Sequence, residues 1–327
     1  MNNPNNKDHW FRDFLVYGLS NHFFFLWIII IAATVATICL PILGRMHKGG
    51  DLVIVYTSQD QEYAQRLFES FGRATKVDLR EVYDNEAAKT VGLVNRLIAE
   101  KNNPQCDVFW NNEELRTRQL ARDGIIDSNW VSFGVRTRRI VVNTNLIALA
   151  AAPRDVLSLT NHQYFGKVAL AYPLFGTTSA HFLALRQYLG ATGWENWCRT
   201  LAANKPFVVD GNSVVVKMVG RGEAAVGLTD SDDILSGQRE GLPVDSVRLG
   251  KDGFEIPNTA AMLLKAPHPE AAKKLLDYLQ SPEVLRTLQN FGAVEPDNST
   301  AQSSVDWNDL LANQNQNLEF LKGLFLR

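Results

Sequence analysis

A cluster of small hydroxyl side chains stands where a helix is predicted to begin. Thr177, Thr178 and Ser179 follow Gly176, and apolar residues then recur at helical spacing from Phe182 onward. The first N–H groups of a helix are unpaired and carry the positive end of its dipole, so hydroxyls beside them suit an anion. The same residue types also serve as ordinary helix caps. The cluster therefore predicts either an anion site or a cap.

A second cluster of the same kind occurs later in the chain. Asn212 and Ser213 precede an apolar run that includes Val214 and Met218, again at a predicted helix start. Neither cluster is a phosphate-binding P-loop, because the motif G-x-x-x-x-G-K-[ST] is absent from the sequence. Two such starts close together in the chain favour a bound anion over two independent caps.

Acidic side chains are concentrated at other predicted strand ends. They are Asp60, Glu86 and Glu113 after separate strands, and Asp230, Asp232 and Asp233 in one loop. Converging carboxylates bind a hard cation or a ligand amine, whereas a single one is commonly a solvated or helix-capping residue. An anion site opposite these acids would suit a zwitterion, or a metal ion bound together with an anion.

Catalysis and nucleic-acid binding are not expected. The six histidines are scattered and no G-x-S-x-G motif occurs, so no catalytic constellation supports an enzyme. The formal net charge is −2 and no basic stripe is present, which argues against nucleic acid. No cofactor is predicted beyond a possible bound metal ion. Cys106 and Cys198 stand outside any metal motif and are predicted to be unpaired core thiols, with a single disulfide as the alternative.

The candidate residues belong to a predicted α/β fold. Strand and helix patterns alternate from Asp51 onward, which indicates a mostly parallel sheet with helices on both faces. Two lobes are expected at 327 residues, since single cores stop growing well before this length. Lobe 1 is predicted to combine residues 51–145 and 252–327, and lobe 2 to be residues 146–251. Ligands bind beyond the carboxyl ends of such strands, so the site should lie in the cleft between the lobes.

The N-terminal part of the chain has a different character. Residues 23–43 contain no charged side chain. A bilayer core needs about 20 apolar residues as a helix, whereas the apolar part of a cleaved signal usually has about 7–15. We therefore expect an uncleaved transmembrane anchor after a short tail, residues 1–22, with a cleaved signal as the alternative. Lipidation of Cys39 is not favoured, because Ile38 precedes it.

Several segments, in this order and spacing, resemble one known family. They include "VIVYTSQDQEYAQRLFESF", "DVFWNNE", "AYPLFGTTSAH" and "GNSVVVKMVGRGEAAVGLTDSDD". Over about residues 51–295 the chain resembles the extracellular solute-binding proteins of the ferric-iron-binding group. The resemblance implies a type II periplasmic-binding-protein fold with two lobes, a hinge and a cleft. It also implies delivery of a small solute to an ABC permease and its ATPase.

The resemblance implies positions for metal ligands as well. Asp60 and Glu113 stand at or near positions where iron-binding members carry ligands, and Ser231 and Asp232 replace their pair of adjacent tyrosines. The metal candidates are therefore Asp60, Glu113 and Asp232. Phenolates give ferric iron its strong oxygen coordination, so their replacement argues against capture of iron itself.

An anion site is the second feature that the resemblance implies. Thr178, Ser179 and Asn212 stand where such proteins hold phosphate or carbonate, with Arg136 or Arg138 as the counter-charge. Related members that take up phosphonates such as 2-aminoethylphosphonate have a similar "PLFGTTSAHF" segment.

Together these features predict a membrane-anchored solute-binding component of an ABC importer, with its lobes outside the cytoplasmic membrane. The solute is a small anion or zwitterion, either phosphonate-like or a metal ion with an anion, captured by lobe closure. A sensing or partner-docking ectodomain of the same fold is the alternative. The predicted ligand-binding residues are Thr177, Thr178, Ser179, Asn212, Ser213, Arg136, Asp60, Glu113, Asp230 and Asp232.

Overall fold

One long strand, β4 (Val131–Asn143), runs through two groups of elements. The computed structural model describes residues 51–84, 91–296 and 305–326. Over residues 131–137 the strand β4 pairs with one neighbour, and over residues 138–143 it pairs with two others. The pairing changes between Thr137 and Arg138, so β4 connects a first half of the fold to a second half.

The elements alternate as the sequence predicts. The other strands are β1 (Leu52–Thr57), β2 (Asp78–Tyr83), β3 (Val108–Asn111), β5 (Val168–Ala171), β6 (Phe207–Val209), β7 (Val226–Asp230), β8 (Val244–Arg248) and β9 (Glu255–Met262). The helices are α1 (Gln61–Thr75), α2 (Val91–Ala99), α3 (Glu114–Arg122), α4 (Gly176–Ala203), α5 (Asn212–Gly220), α6 (Ser231–Arg239), α7 (Pro269–Leu279), α8 (Pro282–Phe291) and α9 (Trp307–Phe325). The described residues therefore form an α/β fold.

The strands follow the order β2-β1-β3-β9-β4-β7-β5-β6, with β8 also paired to β4. The strand β1 runs parallel to β2 and β3, and β5 runs parallel to β6 and β7. The strands β4 and β9 run antiparallel to their neighbours. The sheet is therefore mixed, rather than mostly parallel as predicted, because the two strands that connect the halves reverse direction.

The limits of β4 differ from those predicted. The segment RTRRIVVNTNLI predicts a strand from Arg136 to Ile147, but β4 begins at Val131 and ends at Asn143. A β-bulge interrupts its pairing at Gly134, whose φ of 64° lies in the left-handed region that favours glycine. The glycine and its bulge interrupt the strand pattern before Arg136, so the first part of β4 was not predicted.

Each half has a buried core of its own. Phe71, Trp110 and Leu275 are among the buried side chains of the first, and Phe182 and Trp197 are among those of the second. Burial of one side chain of this size stabilises the fold by about 1.5–3 kcal/mol. Each half therefore has a principal core of its own on the shared strand.

The two helices α7 and α8 follow from local signals. Each begins with proline, whose missing N–H is not needed at a helix start. The Ser281 hydroxyl caps α8 by accepting a hydrogen bond from the Val284 N–H at 3.3 Å. The sequence predicts two helices near the end of the chain, from Pro269 to Leu279 and from Pro282 to Asn290. The first range is confirmed, and α8 ends one residue later, at Phe291.

The last helix, α9, was not predicted from the sequence. Its side chains Leu321 and Phe325 belong to the core of the second half. Its Leu310 packs in a smaller cluster with Leu115 of α3 and Leu183 of α4. The predicted lobe 1 includes this helix, whereas most of its packing is against the second half. The lobe limits themselves stay a prediction.

Some predictions concern residues outside the described part. These are the tail 1–22, the anchor 23–43 and the acidic residue Glu86. Within the described ranges, no helix is both long enough and apolar enough to cross a bilayer. The prediction for the two cysteines of this part is confirmed, since Cys106 and Cys198 are both buried and unpaired.

Candidate functional site

Three helices of the second half begin at one cavity. The helices α4, α5 and α6 follow β5, β6 and β7, so their first turns lie beyond the carboxyl ends of parallel strands. Their cap residues Phe175, Gly211 and Asp230 have extended backbone and make no side-chain cap hydrogen bond. The positive ends of three helix dipoles therefore meet where no side chain caps them.

The cavity is partly open to solvent. It lies between these helix starts and the residues that follow β1 and β3. Its charged lining residues are Asp60, Arg136, Asp210, Asp230 and Asp233. Its neutral polar and aromatic lining residues are Asn112, Thr177, Thr178, Asn212, Tyr172 and Phe175.

The carboxylate of Asp230 occupies the centre of the hydroxyl cluster. Its Oδ2 accepts hydrogen bonds from the Thr177 hydroxyl at 2.7 Å and from the Asn212 amide at 3.2 Å. The Thr178 hydroxyl donates to the Asn212 Oδ1 at 3.3 Å. These side chains are thus bonded to an internal anion, and the backbone N–H groups beside them are the donors left for an external one.

Two buried arginines neutralise the acids next to this cluster. Arg138 Nη1 lies 2.6 Å from Asp230 Oδ1, and Arg136 Nη1 lies 2.9 Å from Asp232 Oδ2 and 3.5 Å from Asp230 Oδ2. Burial alone lowers the pKa of Arg136, but the two carboxylates raise it above its ordinary value. Burial raises the pKa of Asp230, but the two guanidinium groups more than offset this and leave it lowered. Arg136 and Asp230 are therefore both ionised near pH 7.

Arg136 also connects the two halves of the fold. Its Nη2 donates to the backbone carbonyl of Asn112 at 2.5 Å, while its Nη1 bonds to Asp232 at the start of α6. Burial and the nearby Asp230 and Asp60 charges raise the pKa of Asp232, although Arg136 opposes this. The guanidinium thus stands between carboxylates of the second half and a carbonyl of the first.

The structure places six of the predicted site residues on the cavity wall. They are Asp60, Arg136, Thr177, Thr178, Asn212 and Asp230. Four others do not line it: Ser179, Ser213, Glu113 and Asp232. Ser179 is buried, and its hydroxyl finds no partner among the described residues. Asp232 lies just behind the wall, bonded to Arg136.

Glu113 has a structural contact instead. Its carboxylate caps α3 by accepting hydrogen bonds from the N–H groups of Leu115 at 2.6 Å and Arg116 at 3.1 Å. Burial raises the pKa of Glu113 to about 7, although the Arg116 charge and these N–H groups oppose the shift. This geometry commits both carboxylate oxygens to the first turn of α3.

Sequence reasoning missed three lining residues, Tyr172, Phe175 and Asp210. They follow β5 and β6, so the rule that ligands bind beyond strand ends could have found them. Two are aromatic and one is acidic, a combination that suits a cationic group. With four carboxylates and one guanidinium, the charged lining carries a formal charge of −3 when all are ionised.

A metal ion fits these residues poorly. Asp230, Asp232 and Asp233 could each offer an oxygen within 4.8 Å of the others. Arg136 and Arg138 already bond to two of these three carboxylates. A hard cation would therefore have to displace a buried guanidinium group before it found oxygen ligands.

Comparison with known proteins identifies the family. A profile described as the bacterial extracellular solute-binding proteins matches residues 53–294. The major ferric iron-binding protein of Neisseria meningitidis is 23% identical over 282 residues, which cover 78% of this chain and 83% of that protein. The corresponding protein of Neisseria gonorrhoeae is 22% identical over 281 residues, with the same coverage of both chains.

Solved structures share the fold. Iron-bound HitA from Pseudomonas aeruginosa has a TM-score of 0.73 at 17% identity, covering 84% of this chain and 99% of HitA. The periplasmic binding protein AfuA from Actinobacillus pleuropneumoniae, with fructose-6-phosphate bound, has a TM-score of 0.72 at 17% identity, covering 84% and 98%. Identities this low establish architecture and leave the solute open. The chain belongs to the bacterial extracellular solute-binding proteins, and it is a type II periplasmic binding protein rather than an enzyme.

Proposed function

We propose that this protein is the membrane-anchored receptor of an ABC importer and that its solute is a small zwitterion with an anionic and a cationic group. The observation that carries the proposal is the composition of the cavity wall. The wall contains helix starts that have no side-chain cap, and it contains one arginine. More carboxylates than guanidinium groups lie beside them. One solute with both charges satisfies both parts of such a wall.

The anionic group of the solute is held by backbone donors. The first turns of α4 and α5 contribute the N–H groups near Thr177 and Asn212, and both residues line the cavity. Arg136 lies on the same wall, and its positive charge is shared with Asp232 and Asp230. Charge-assisted hydrogen bonds of this kind contribute about 1.5–3 kcal/mol each, so a few of them support micromolar affinity, which needs about 8 kcal/mol.

The cationic group of the solute is held by acids. Asp60, Asp210 and Asp233 lie on the wall, with the aromatic rings of Tyr172 and Phe175 beside them. A bare anion would meet the repulsion of a lining charge of −3, whereas an ammonium group reduces it. A phosphonate with an amine therefore fits better than inorganic phosphate. A metal ion bound with an anion remains the second form of the proposal, disfavoured by the arginines.

Capture follows from lobe closure around this solute. The two lobes are those predicted from the sequence, and the solute bridges the wall of lobe 2 to Asp60 of lobe 1. Residues 23–43 anchor the receptor in the cytoplasmic membrane, so the lobes face the periplasmic or extracellular side and the ABC permease. The solute-binding relatives that share the fold support the importer part of this proposal.

Titration calorimetry on the detergent-purified full chain tests the solute. The panel is 2-aminoethylphosphonate, ethylphosphonate, inorganic phosphate, fructose 6-phosphate, ferric citrate and glycine. We expect micromolar binding of 2-aminoethylphosphonate and at least about tenfold weaker binding of ethylphosphonate, which lacks only the amine. Equal affinity for these two phosphonates would refute the role of the acids. If none of the six solutes gives a heat of binding, the proposed solute class is wrong.

A further inference from the structure

The two arginines that bond to the acids of the cavity differ in their access to it. The family resemblance implies that either Arg136 or Arg138 is the counter-charge of a bound anion. Arg136 lines the cavity, whereas Arg138 is 1% exposed and does not line it. The Nη1 and Nη2 atoms of Arg138 donate instead to three acceptors of the protein behind the wall. Any effect of Arg138 on a solute therefore passes through other residues.

The guanidinium group of Arg138 connects the starts of two helices. Its Nη1 donates to Asn212 Oδ1 at 3.0 Å and to Asp230 Oδ1 at 2.6 Å. Asn212 is the first residue of α5, and Asp230 is the cap residue of α6. Its Nη2 donates to the Leu228 carbonyl of β7 at 3.2 Å. One side chain of β4 therefore fixes both helix starts relative to the sheet.

The start of α4 belongs to the same network. Thr177 and Thr178 are the second and third residues of this helix. The Thr177 hydroxyl donates to Asp230 Oδ2 at 2.7 Å and accepts from the Asn212 amide at 3.0 Å. The Thr178 hydroxyl donates to Asn212 Oδ1 at 3.3 Å. Three helix starts are thus bonded to one another, and Arg138 is a buried cation of this network.

These bonds run between helices rather than along them. A capping side chain accepts a hydrogen bond from an N–H group of its own helix, and the cap residues of α4, α5 and α6 make no such bond. The N–H groups of each first turn also have no partner within the helix. Their directions relative to one another therefore depend on the network. Donors that are already aligned bind an anion more tightly, because binding does not have to order them.

Arg138 also offsets a charge that would repel an anion. Asp230 lines the cavity beside the first turns of α4 and α5. A carboxylate without a partner at this place would repel the anionic group of a solute. The contact of 2.6 Å between Arg138 Nη1 and Asp230 Oδ1 places a positive charge against it. The network can therefore contain an internal acid and still suit an external anion.

We propose that Arg138 is a positioning residue that holds the starts of α4, α5 and α6 in one arrangement and so aligns their backbone donors for the anionic group of the solute. The inference rests on the proposed function, because it requires an anion at these helix starts. It adds that the affinity for the anionic group depends on a side chain that does not touch the solute.

Hydrogen exchange of the detergent-purified full chain, followed by mass spectrometry without solute, tests the network itself. The Ser179 N–H donates to the Phe175 carbonyl in α4, and the Val215 N–H donates to the Gly211 carbonyl in α5. R138K keeps the charge but replaces the planar fork with a single nitrogen on a flexible stem. We expect peptides containing Ser179 and Val215 to exchange roughly tenfold faster in R138K, as the loss of one charge-assisted hydrogen bond would give.

Two further variants show whether the effect is local. R139K makes the same substitution at the next residue of β4, whose side chain points to the opposite face and bonds to Glu295, so both peptides should keep their parent rates. T177V removes only the hydroxyl that joins α4 to Asp230, so exchange should become faster at Ser179 and not at Val215. Thermal unfolding checks that each variant is folded, and T177V tests the network even where R138K does not fold.

Solute affinity separates positioning from a purely structural role. Calorimetry with 2-aminoethylphosphonate and ethylphosphonate compares two solutes that share the phosphonate and differ in the amine. We expect R138K to weaken both by a similar factor, roughly tenfold, because the change affects the donors for the phosphonate. A structural role alone would lower the melting temperature and leave both affinities at their parent values.

The outcomes distinguish this inference from the proposed function. Parent exchange rates at Ser179 and Val215 in R138K, or parent affinities for both phosphonates, overturn the role of Arg138 and leave the receptor function standing. A loss of affinity for 2-aminoethylphosphonate alone also overturns it, since it would relate Arg138 to the amine. If no solute of the panel binds the parent chain, the proposed solute class is wrong, whereas faster exchange in R138K still supports the positioning of the helix starts.

Discussion

The polar residues beyond the carboxyl ends of the parallel strands form different hydrogen-bond networks in the two halves of the fold. We call these two regions the edge of the first half and the edge of the second half. At the edge of the first half, neutral groups bond to one another: the Ser58 hydroxyl lies 2.7 Å from Asn111 Oδ1, and Asn111 Nδ2 donates to Thr117 Oγ1 at 3.1 Å. At the edge of the second half, charged groups do so: Arg138 bonds to Asp230 and Arg136 to Asp232. At the first edge neutral side chains bond to one another. At the second edge the bonded groups are ionised, and Arg136 and Asp230 also line the cavity. The hydrogen-bond partners at the first edge are thus neutral, whereas those at the second are ion pairs.

The largest expected effect breaks the charged edge. Arg138→Met leaves the buried Asp230 carboxylate without its closest partner, and loss of one member of a buried ion pair typically costs about 3–5 kcal/mol. We expect the free energy of unfolding, measured by urea denaturation, to fall by this amount. The control is Arg221→Met, which removes an exposed side chain and should change stability by less than about 0.5 kcal/mol. A fall as small as that of the control would show that the pair is not structural.

The next effect breaks the neutral edge. Asn111→Ala removes an amide that donates to the Glu113 carbonyl at 2.5 Å and to the Thr117 hydroxyl at 3.1 Å. We expect a loss of about 2 kcal/mol in unfolding free energy, since buried partners are left unsatisfied. The affinity for 2-aminoethylphosphonate should stay within about threefold of the parent value, because Asn111 does not line the cavity. A larger loss of affinity than of stability would assign this edge to the solute.

Two buried titratable groups, His181 and Glu113, should affect the pH dependence of stability with opposite signs. Burial and the Arg138 charge lower the pKa of His181 to about 3, whereas burial raises the pKa of Glu113 to about 7. Unfolded histidine binds a proton below about pH 6.5, so stability due to neutral His181 is lost as pH falls from there. Unfolded glutamate loses its proton near pH 4.3, so stability due to protonated Glu113 is lost as pH rises from there towards 7.

The free energies of unfolding of His181→Gln and Glu113→Gln, measured by urea denaturation between pH 4 and 7, test both pH effects. Relative to the parent chain, His181→Gln should lose less stability on acidification, and Glu113→Gln should lose less on approach to neutrality. Each difference should reach about 1–2 kcal/mol over its window, since one pKa unit corresponds to about 1.4 kcal/mol. Parallel curves for all three proteins would contradict the assignment.

The smallest expected effect is on solute affinity and tests one carboxylate of the cavity wall. Asp60→Asn removes one carboxylate on the first-half side of the cavity. We expect the affinity for 2-aminoethylphosphonate to fall roughly three- to tenfold, as suits one partly solvated charge pair. Ethylphosphonate should bind no worse to the variant than to the parent chain. A gain for both phosphonates would indicate that Asp60 repels the anion rather than attracting the amine.

Much of the fold could be predicted because its signals are local. The helix α7 was predicted from Pro269 to Leu279 because proline and the apolar spacing mark it within one window. The helix α9 was missed, since its "NQNQN" segment conceals a buried side whose contacts, such as those of Leu310 and Phe325, depend on tertiary packing. The bulge at Gly134 hid part of β4 for a comparable reason.

The site was predictable in position but not in bonding. Strand-end reasoning brought Thr177, Asn212 and Asp60 to one cavity, as the structure places them. It could not predict that Asp230 accepts a hydrogen bond from the Thr177 hydroxyl, because residue spacing does not determine which acceptor a hydroxyl bonds to. Tyr172 and Asp210 were missed although the same rule applies to them. That these residues bind the solute stays a prediction.

The two unpaired thiols have a practical consequence. Cys106 lies in a hydrophobic cluster of the first half, and Cys198 lies in the core of the second. A thiol reagent can reach each buried thiol only when the structure around it opens, so the two alkylation rates would report opening at two different places in the fold. The structure of the described part also contains no disulfide between these two thiols, so a reducing agent should leave its stability unchanged.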